Sequence, residues 1–226
     1  MDALDGITVL DFTSHLAGPY CTKLLADMGA RVIKVERPGG DPTRALSPFL
    51  ADEPGEDRGA TWHYLNTNKE SIVIDLANPA ARDVVRRLMA GAQLAVTSFA
   101  PASEERLGID CDTLRQYADI PVVSITNFGH AGPYRDYRLS DTVLYAMGAE
   151  MYSHGLAHRE PLKLGGTAAT LQGGANGEGD LARGPQARSH PAGHLGGTRQ
   201  GVGQCPLHQF GIRGLRLGCP VIRDGR

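Results

Sequence analysis

The sequence predicts an α/β fold, a parallel sheet covered by helices on both faces. Three observations carry this. Up to about Asn176, short runs rich in branched apolar residues alternate with segments of helical period. The runs are almost continuously apolar, as strands buried on both faces are. With 226 residues and 41% apolar side chains, the chain also has enough material for one good core.

The elements follow in order. Ile7–Phe12 is the first strand. Ala17–Met28 is a helix, with Ala17, Leu24, Leu25 and Met28 at helical spacing and Gly29 as its stop. Arg31–Glu36 is the second strand and Ser71–Asp75 the third. Asn78 as cap and Pro79 in the first turn open a helix to about Met89. Gln93–Phe99 is the fourth strand, Pro101–Leu107 and Thr113–Tyr117 are short helices, and Pro121–Thr126 is the fifth strand. Ser140–Met151 reads as a helix capped by Ser140 or Asp141.

The text changes after Asn176. Residues 177–226 are dominated by glycine and arginine, lack lysine, and show no apolar period longer than one turn. Two readings fit. One is a disordered tail, because so little apolar surface does not offset the entropy of ordering. The other is a stretch read out of frame from G/C-rich DNA. Neither gives a function to His190, His194, His208, Cys205 or Cys219. Residues 1–176 are therefore expected to form the folded part.

Lys and Arg total 23 against 25 Asp and Glu, a net charge of −2. That leaves no positive field for nucleic acid or anionic lipid. No apolar run reaches a membrane span, the N-terminus lacks a secretory pattern, and the four cysteines are scattered. A cytoplasmic protein without a zinc site or a disulfide framework is expected.

Candidate chemistry lies in the loops after the strands, where α/β proteins bind ligands. Thr13–Pro19 offers Gly18 and a helix start to an anion, although Gly-Pro is also plain punctuation. Arg37 and Arg44 follow the second strand and suit phosphates, or else a solvated Arg–Asp pair. Ser98, Phe99 and Arg106 follow the fourth; Phe99 suits a flat base or the core. His130 lacks a carboxylate at orienting spacing and reads as an exposed loop residue, while Asp141 reads as a cap. Thr167 and Thr170 have no activating base nearby in sequence. No nucleophile–base or metal constellation emerges, and chemistry alone points to binding an anionic small molecule.

The run LDGITVLDFTSHLAGPYCTKLLADMGARVIKVERPGGDPTR resembles the start of the class III CoA-transferases. The likeness continues through Asn66–Ser71, SFAPASEERLGI and FGHAGPY, and ends near Gly174. The family includes formyl-CoA and carnitine CoA-transferases and the bile-acid-inducible proteins. The resemblance covers about three quarters of this chain and less than half of a typical member. It implies the N-terminal part of a large α/β domain of Rossmann type, a smaller second domain, and two interlocked chains. The partners it implies are acyl-CoA, a small carboxylic acid, and a second copy or a full-length subunit. Coenzyme A enters as substrate, with no metal.

By position, the resemblance places His15 and Leu16 at the thioester end of the CoA site. It places Arg37, Ile74, Ser98, Phe99, Arg106 and Leu107 along the nucleotide and pantetheine path, and Arg138 and Asp141 at further CoA or active-site contacts. The family nucleophile is an aspartate that takes the acyl group as a mixed anhydride and then carries CoA as a thioester. Thr170 stands at that position in this chain. The racemase branch requires a histidine where Ser140 stands. The resemblance therefore implies a CoA-transferase-like protein that is truncated and impaired. The alternatives are a non-catalytic CoA-binding partner subunit or a pseudogene product.

Overall fold

The computed structural model describes residues 2–55, 57–148, 150–156, 158–182 and 216–217. Five parallel strands form the sheet: β1 (Thr8–Phe12), β2 (Arg31–Glu36), β3 (Lys69–Val73), β4 (Leu94–Thr97) and β5 (Val122–Ser124). Their spatial order is β3-β2-β1-β4-β5, and a two-residue strand β6 (Arg216–Leu217) joins β5 antiparallel. The helices are α1 (Ala17–Asp27), α2 (Ala60–Leu65), α3 (Ala81–Ala90), α4 (Pro101–Leu107), α5 (Cys111–Tyr117), α6 (Asp141–Met147), α7 (Glu150–Ser153) and α8 (Ala168–Ala182). The expected α/β class is found.

Strand alternation divides the core into two layers. Leu10, Phe12, Ile33 and Val35 face α3 and α5, meeting Val85, Met89 and Leu114. Val9, Val32, Leu94, Val96 and Val123 face α1, meeting Leu25 and Ala26. Both faces of the central strands are covered, which is why they read as mainly apolar runs.

Several expectations are corrected. The third strand runs from Lys69 to Val73, two residues earlier than expected, because Lys69 pairs with Val32 and its side chain reaches a buried carboxylate. The helix expected from Pro79 starts at Ala81; Asn78 Oδ1 instead accepts from Ala80 N at 3.0 Å in a preceding turn. The single helix expected over Ser140–Met151 is two, α6 and α7, and α6 ends at Met147 with Gly148 as its cap. Ser140, rather than Asp141, is the cap of α6, accepting from Val143 N. Helices α2 and α8 were not expected. Helix α8 crosses Asn176, so the change in composition there is not an end of helix. The remaining expectations for the tail, its irregularity and its late histidines and cysteines, lie outside the described residues.

Glu104 on α4 is fully buried under β5, where Ser124 Oγ donates to both its oxygens at 3.0 and 3.2 Å. Burial pushes its carboxyl above the ordinary glutamate value of 4.5, against those hydrogen bonds. The folded protein thus keeps this proton longer than the unfolded chain does. Its contribution is full below pH 4.5 and is lost as pH rises through the folded value. Glu104→Gln is expected to flatten that loss in urea titrations run across pH. A variant with the wild-type pH profile would count against it.

Candidate functional site

A cleft of about 450 Å³ opens at the carboxyl ends of β1, β4 and β5. Strand order reverses between β1 and β4, and the crevice at such a switch point is where open parallel sheets bind ligands. The loop after β1 supplies Ser14–Gly18, the end of β4 supplies Ser98, the loop after β5 supplies Ile125–Asn127, and α6 and α8 close the far side.

The first wall is fixed from beneath. Asp11, at the end of β1, is completely buried. Lys69 Nζ lies 3.0 Å from its Oδ2 and also donates to Pro19 O, Thr22 Oγ1 and Asn66 Oδ1 at 2.8–3.0 Å. Thr22 Oγ1 donates to Asp11 at 2.6 Å, and Thr13 N donates to it at 2.9 Å. Burial alone would raise the Asp11 pKa, but Lys69 and Lys34 beside it hold the carboxyl well below the ordinary range. Lys34, also buried, donates to Thr13 O at 3.1 Å and pairs with Asp41 at 3.4 Å. These bonds tie the turn Phe12–Pro19 to three elements at once.

On that base the loop adopts a left-handed backbone at His15, with φ of 65°. Such a conformation costs a non-glycine residue about 1–3 kcal/mol and persists only where its surroundings enforce it. Ser98 Oγ supplies part of the enforcement by accepting from Ser14 N at 3.0 Å and donating to Ser14 O at 3.3 Å. Gly18 is required here because a Cβ would stand 2.4 Å from Thr13 Cβ and 2.8 Å from Ser98 Cβ.

The opposite wall carries a polar cluster. Asp141 Oδ1 accepts from Thr170 Oγ1 at 3.0 Å and from Thr170 N at 3.3 Å. Its Oδ2 accepts from Lys163 Nζ at 3.2 Å, and Lys163 also donates to Leu164 O and Gly166 O, each at 2.9 Å. Thr170, with no base nearby in sequence, thus meets a carboxylate 29 residues away.

The residues expected at the site divide into two groups. His15, Leu16, Ser98, Asp141 and Thr170 line the cleft together. Arg37, Ile74, Phe99, Arg106, Leu107 and Arg138 are not among its lining residues. Arg37 is exposed and donates from Nε to Gly40 O at 3.1 Å. Ile74 is in the core, with Phe99 and Leu107 packed against it. Arg106 and Arg138 are exposed, and His130, expected on the surface, is half-buried. Sequence reasoning gave no role to Asp11, Lys34 or Lys69; for Asp11 and Lys34 a charged residue inside an apolar strand was the available signal, and Lys69, at the start of β3, had none. Arg44, offered to phosphates, instead pairs with Glu36 at 2.7 Å and stacks over Trp62 with 3.7 Å to the ring centre. Burial opposes the charge on Glu36, yet the Arg44 guanidinium, Ser71 and Asp41 N bring its pKa down to about 2.

Among the described residues no group of His, Cys, Asp and Glu has the arrangement of a metal site, and no helix is long and apolar enough to cross a membrane.

The profile of CoA-transferase family III matches residues 4–178. Succinyl-CoA:mesaconate CoA-transferase of Haloarcula hispanica is 38% identical over 170 residues, which cover 73% of this chain and 43% of the relative. Succinate–glutarate CoA-transferase of Agrobacterium fabrum is 39% identical over 172 residues, 74% of this chain and 43% of the relative. Formyl-CoA:oxalate CoA-transferase of Rhodopseudomonas palustris is 39% identical over 165 residues, 72% of this chain and 38% of the relative. Among solved structures, a CAIB/BAIF family protein from Brucella suis superposes with a TM-score of 0.75 at 33% identity, covering 83% of this chain and 50% of that one. The chain spans less than half the length of these curated relatives. The matched region contains β1 to β5 and every residue of the cleft, and the chain belongs to CoA-transferase family III.

Proposed function

We propose that this protein moves CoA between an acyl-CoA and a small carboxylic acid, at a reduced rate because Thr170 stands where the family carries its aspartate. The observation that carries the reading is the cleft at the β1/β4 switch point, with Asp141, paired to Lys163, and Thr170 on one wall and the strained His15 turn on the other. Residues 1–176 form the CoA-binding body in this reading. His15, Leu16 and Ser98 take the thioester end. Arg37 and Arg106, both exposed, reach the phosphates from outside the cleft, while Phe99, Leu107 and Ile74 back the path. Arg138 contributes a further charge at the rim. The protein works in the cytoplasm, as a homodimer or joined to a full-length subunit.

Calorimetry with CoA tests this. Binding is expected for the wild type, and Arg106→Ala is expected to weaken it about 10- to 100-fold, since a charged hydrogen bond is worth about 1.5–3 kcal/mol. Failure of the wild type to bind CoA sinks the reading. Binding without transfer from succinyl-CoA to any small carboxylate favours instead a non-catalytic CoA-binding subunit.

A further inference from the structure

An acyl group taken from a thioester must stay near thioester energy if it is to return to CoA. An oxygen ester on a threonine lies too low; an anhydride formed on a carboxylate does not. The acceptor must therefore be a carboxylate that faces the cleft. Asp141 is the only acidic side chain among the described residues that line it. Its Oδ1 is 3.0 Å from Thr170 Oγ1, so it already reaches the tip of the residue at the family's nucleophile position. Two hydrogen bonds from Thr170 fix one oxygen and Lys163 fixes the other.

We propose that Asp141 is the catalytic nucleophile of this chain, with Thr170 and Lys163 as its positioning residues; the proposal rests on the CoA-transfer reading above. One Asp141 oxygen bonds to the thioester carbonyl carbon. The C–S bond breaks with its electron pair on sulfur, and CoA leaves as the thiolate. The negative charge passes from carboxylate to sulfur and no proton moves. The thiolate then attacks the Asp141 carbonyl carbon, which releases the donor acid as its carboxylate and leaves CoA on Asp141 as a thioester. The incoming carboxylate displaces that thiolate to form a second anhydride. Attack of the thiolate on the incoming acyl carbon yields the new acyl-CoA, and the bridging oxygen of the acceptor stays on Asp141.

That last oxygen provides the test. The protein is incubated with succinyl-CoA and succinate labelled with oxygen-18, digested, and mapped by mass spectrometry. Label is expected in the peptide containing Asp141, and its loss is expected in Asp141→Asn, whose fold is checked by circular dichroism. Thr170→Ala is expected to slow labelling several-fold without moving it. Mapping in the wild type needs no variant to fold. Label on a different acidic residue, an acyl ester on Thr170, or a wild type that binds CoA but takes up no label would each overturn the proposal. A wild type that fails to bind CoA overturns the underlying reading and this proposal with it.

Discussion

Lys69→Met is expected to destabilise the protein by about 3–5 kcal/mol, a large part of the stability of a domain this size. Lys69 and Asp11 have side-chain exposures of 1% and 0%. Removing the ammonium leaves the Asp11 carboxylate in the core without its nearest cation, and also removes a donor from Pro19 O, Thr22 Oγ1 and Asn66 Oδ1. Burial pushes the Lys69 pKa down, against the attraction of Asp11, so the pair is held together against a desolvation cost. The Arg31–Glu70 pair is the contrast. It has better geometry, with two hydrogen bonds at 2.9 and 2.8 Å, but exposures of 60% and 56%. Arg31→Ala is expected to cost less than about 1 kcal/mol. Urea unfolding of both variants decides the point. A Lys69→Met loss as small as the Arg31→Ala loss would show that Asp11 is not held by charge.

The same lysine shows where sequence reasoning ran out. Arg31–Glu36 and Pro101–Leu107 are legible residue for residue because apolar continuity and a proline start are local signals. The start of β3 is not legible, because Lys69 sits in the sheet through a bond to Asp11, 58 residues away. Helix α8 was hidden for another reason. Its sequence, AATLQGGANGEGDLA, holds four glycines, and glycine is a poor helix former. Its stability comes from packing on α1, a tertiary contact that no window of sequence contains.

The site was legible to the same degree. The loop rule pointed to the turn after β1 and the end of β4, and His15, Leu16 and Ser98, named through the resemblance, do line the cleft there. Thr170 was singled out by its place in a motif, but its contact with Asp141 was not legible, since Asp141 approaches from a helix 29 residues earlier. Arg37 on its loop and Arg106 in the last turn of α4 are exposed cations, and nothing local says how far such a side chain stands from a cleft.

Neighbouring glycines on α8 should respond with opposite signs. A Cβ on Gly174 would stand 2.3 Å from Ala17 O, 3.1 Å from Ala17 C and 3.3 Å from Ala17 Cα. All three are backbone atoms of the first residue of α1, which lies on the cleft wall, so no side chain can rotate away. Ordinary contact begins at 3.4 Å, so α8 must retreat from α1 by about 1 Å. Overpacking of this kind costs about 1–3 kcal/mol. A Cβ on Gly173, one residue earlier, meets nothing within 4 Å. Gly173→Ala should therefore stabilise the protein by about 0.5–1 kcal/mol through helix propensity alone. The functional consequence belongs to Gly174. Helix α8 carries Thr170 to Asp141, and a misplacement of about 1 Å near reacting groups lowers a rate by about 100-fold. Gly174→Ala should thus remain folded by circular dichroism while losing the proposed CoA transfer far out of proportion to its loss in unfolding free energy. Equal responses from the two glycines would mean that the α1–α8 contact does not set the width of the cleft.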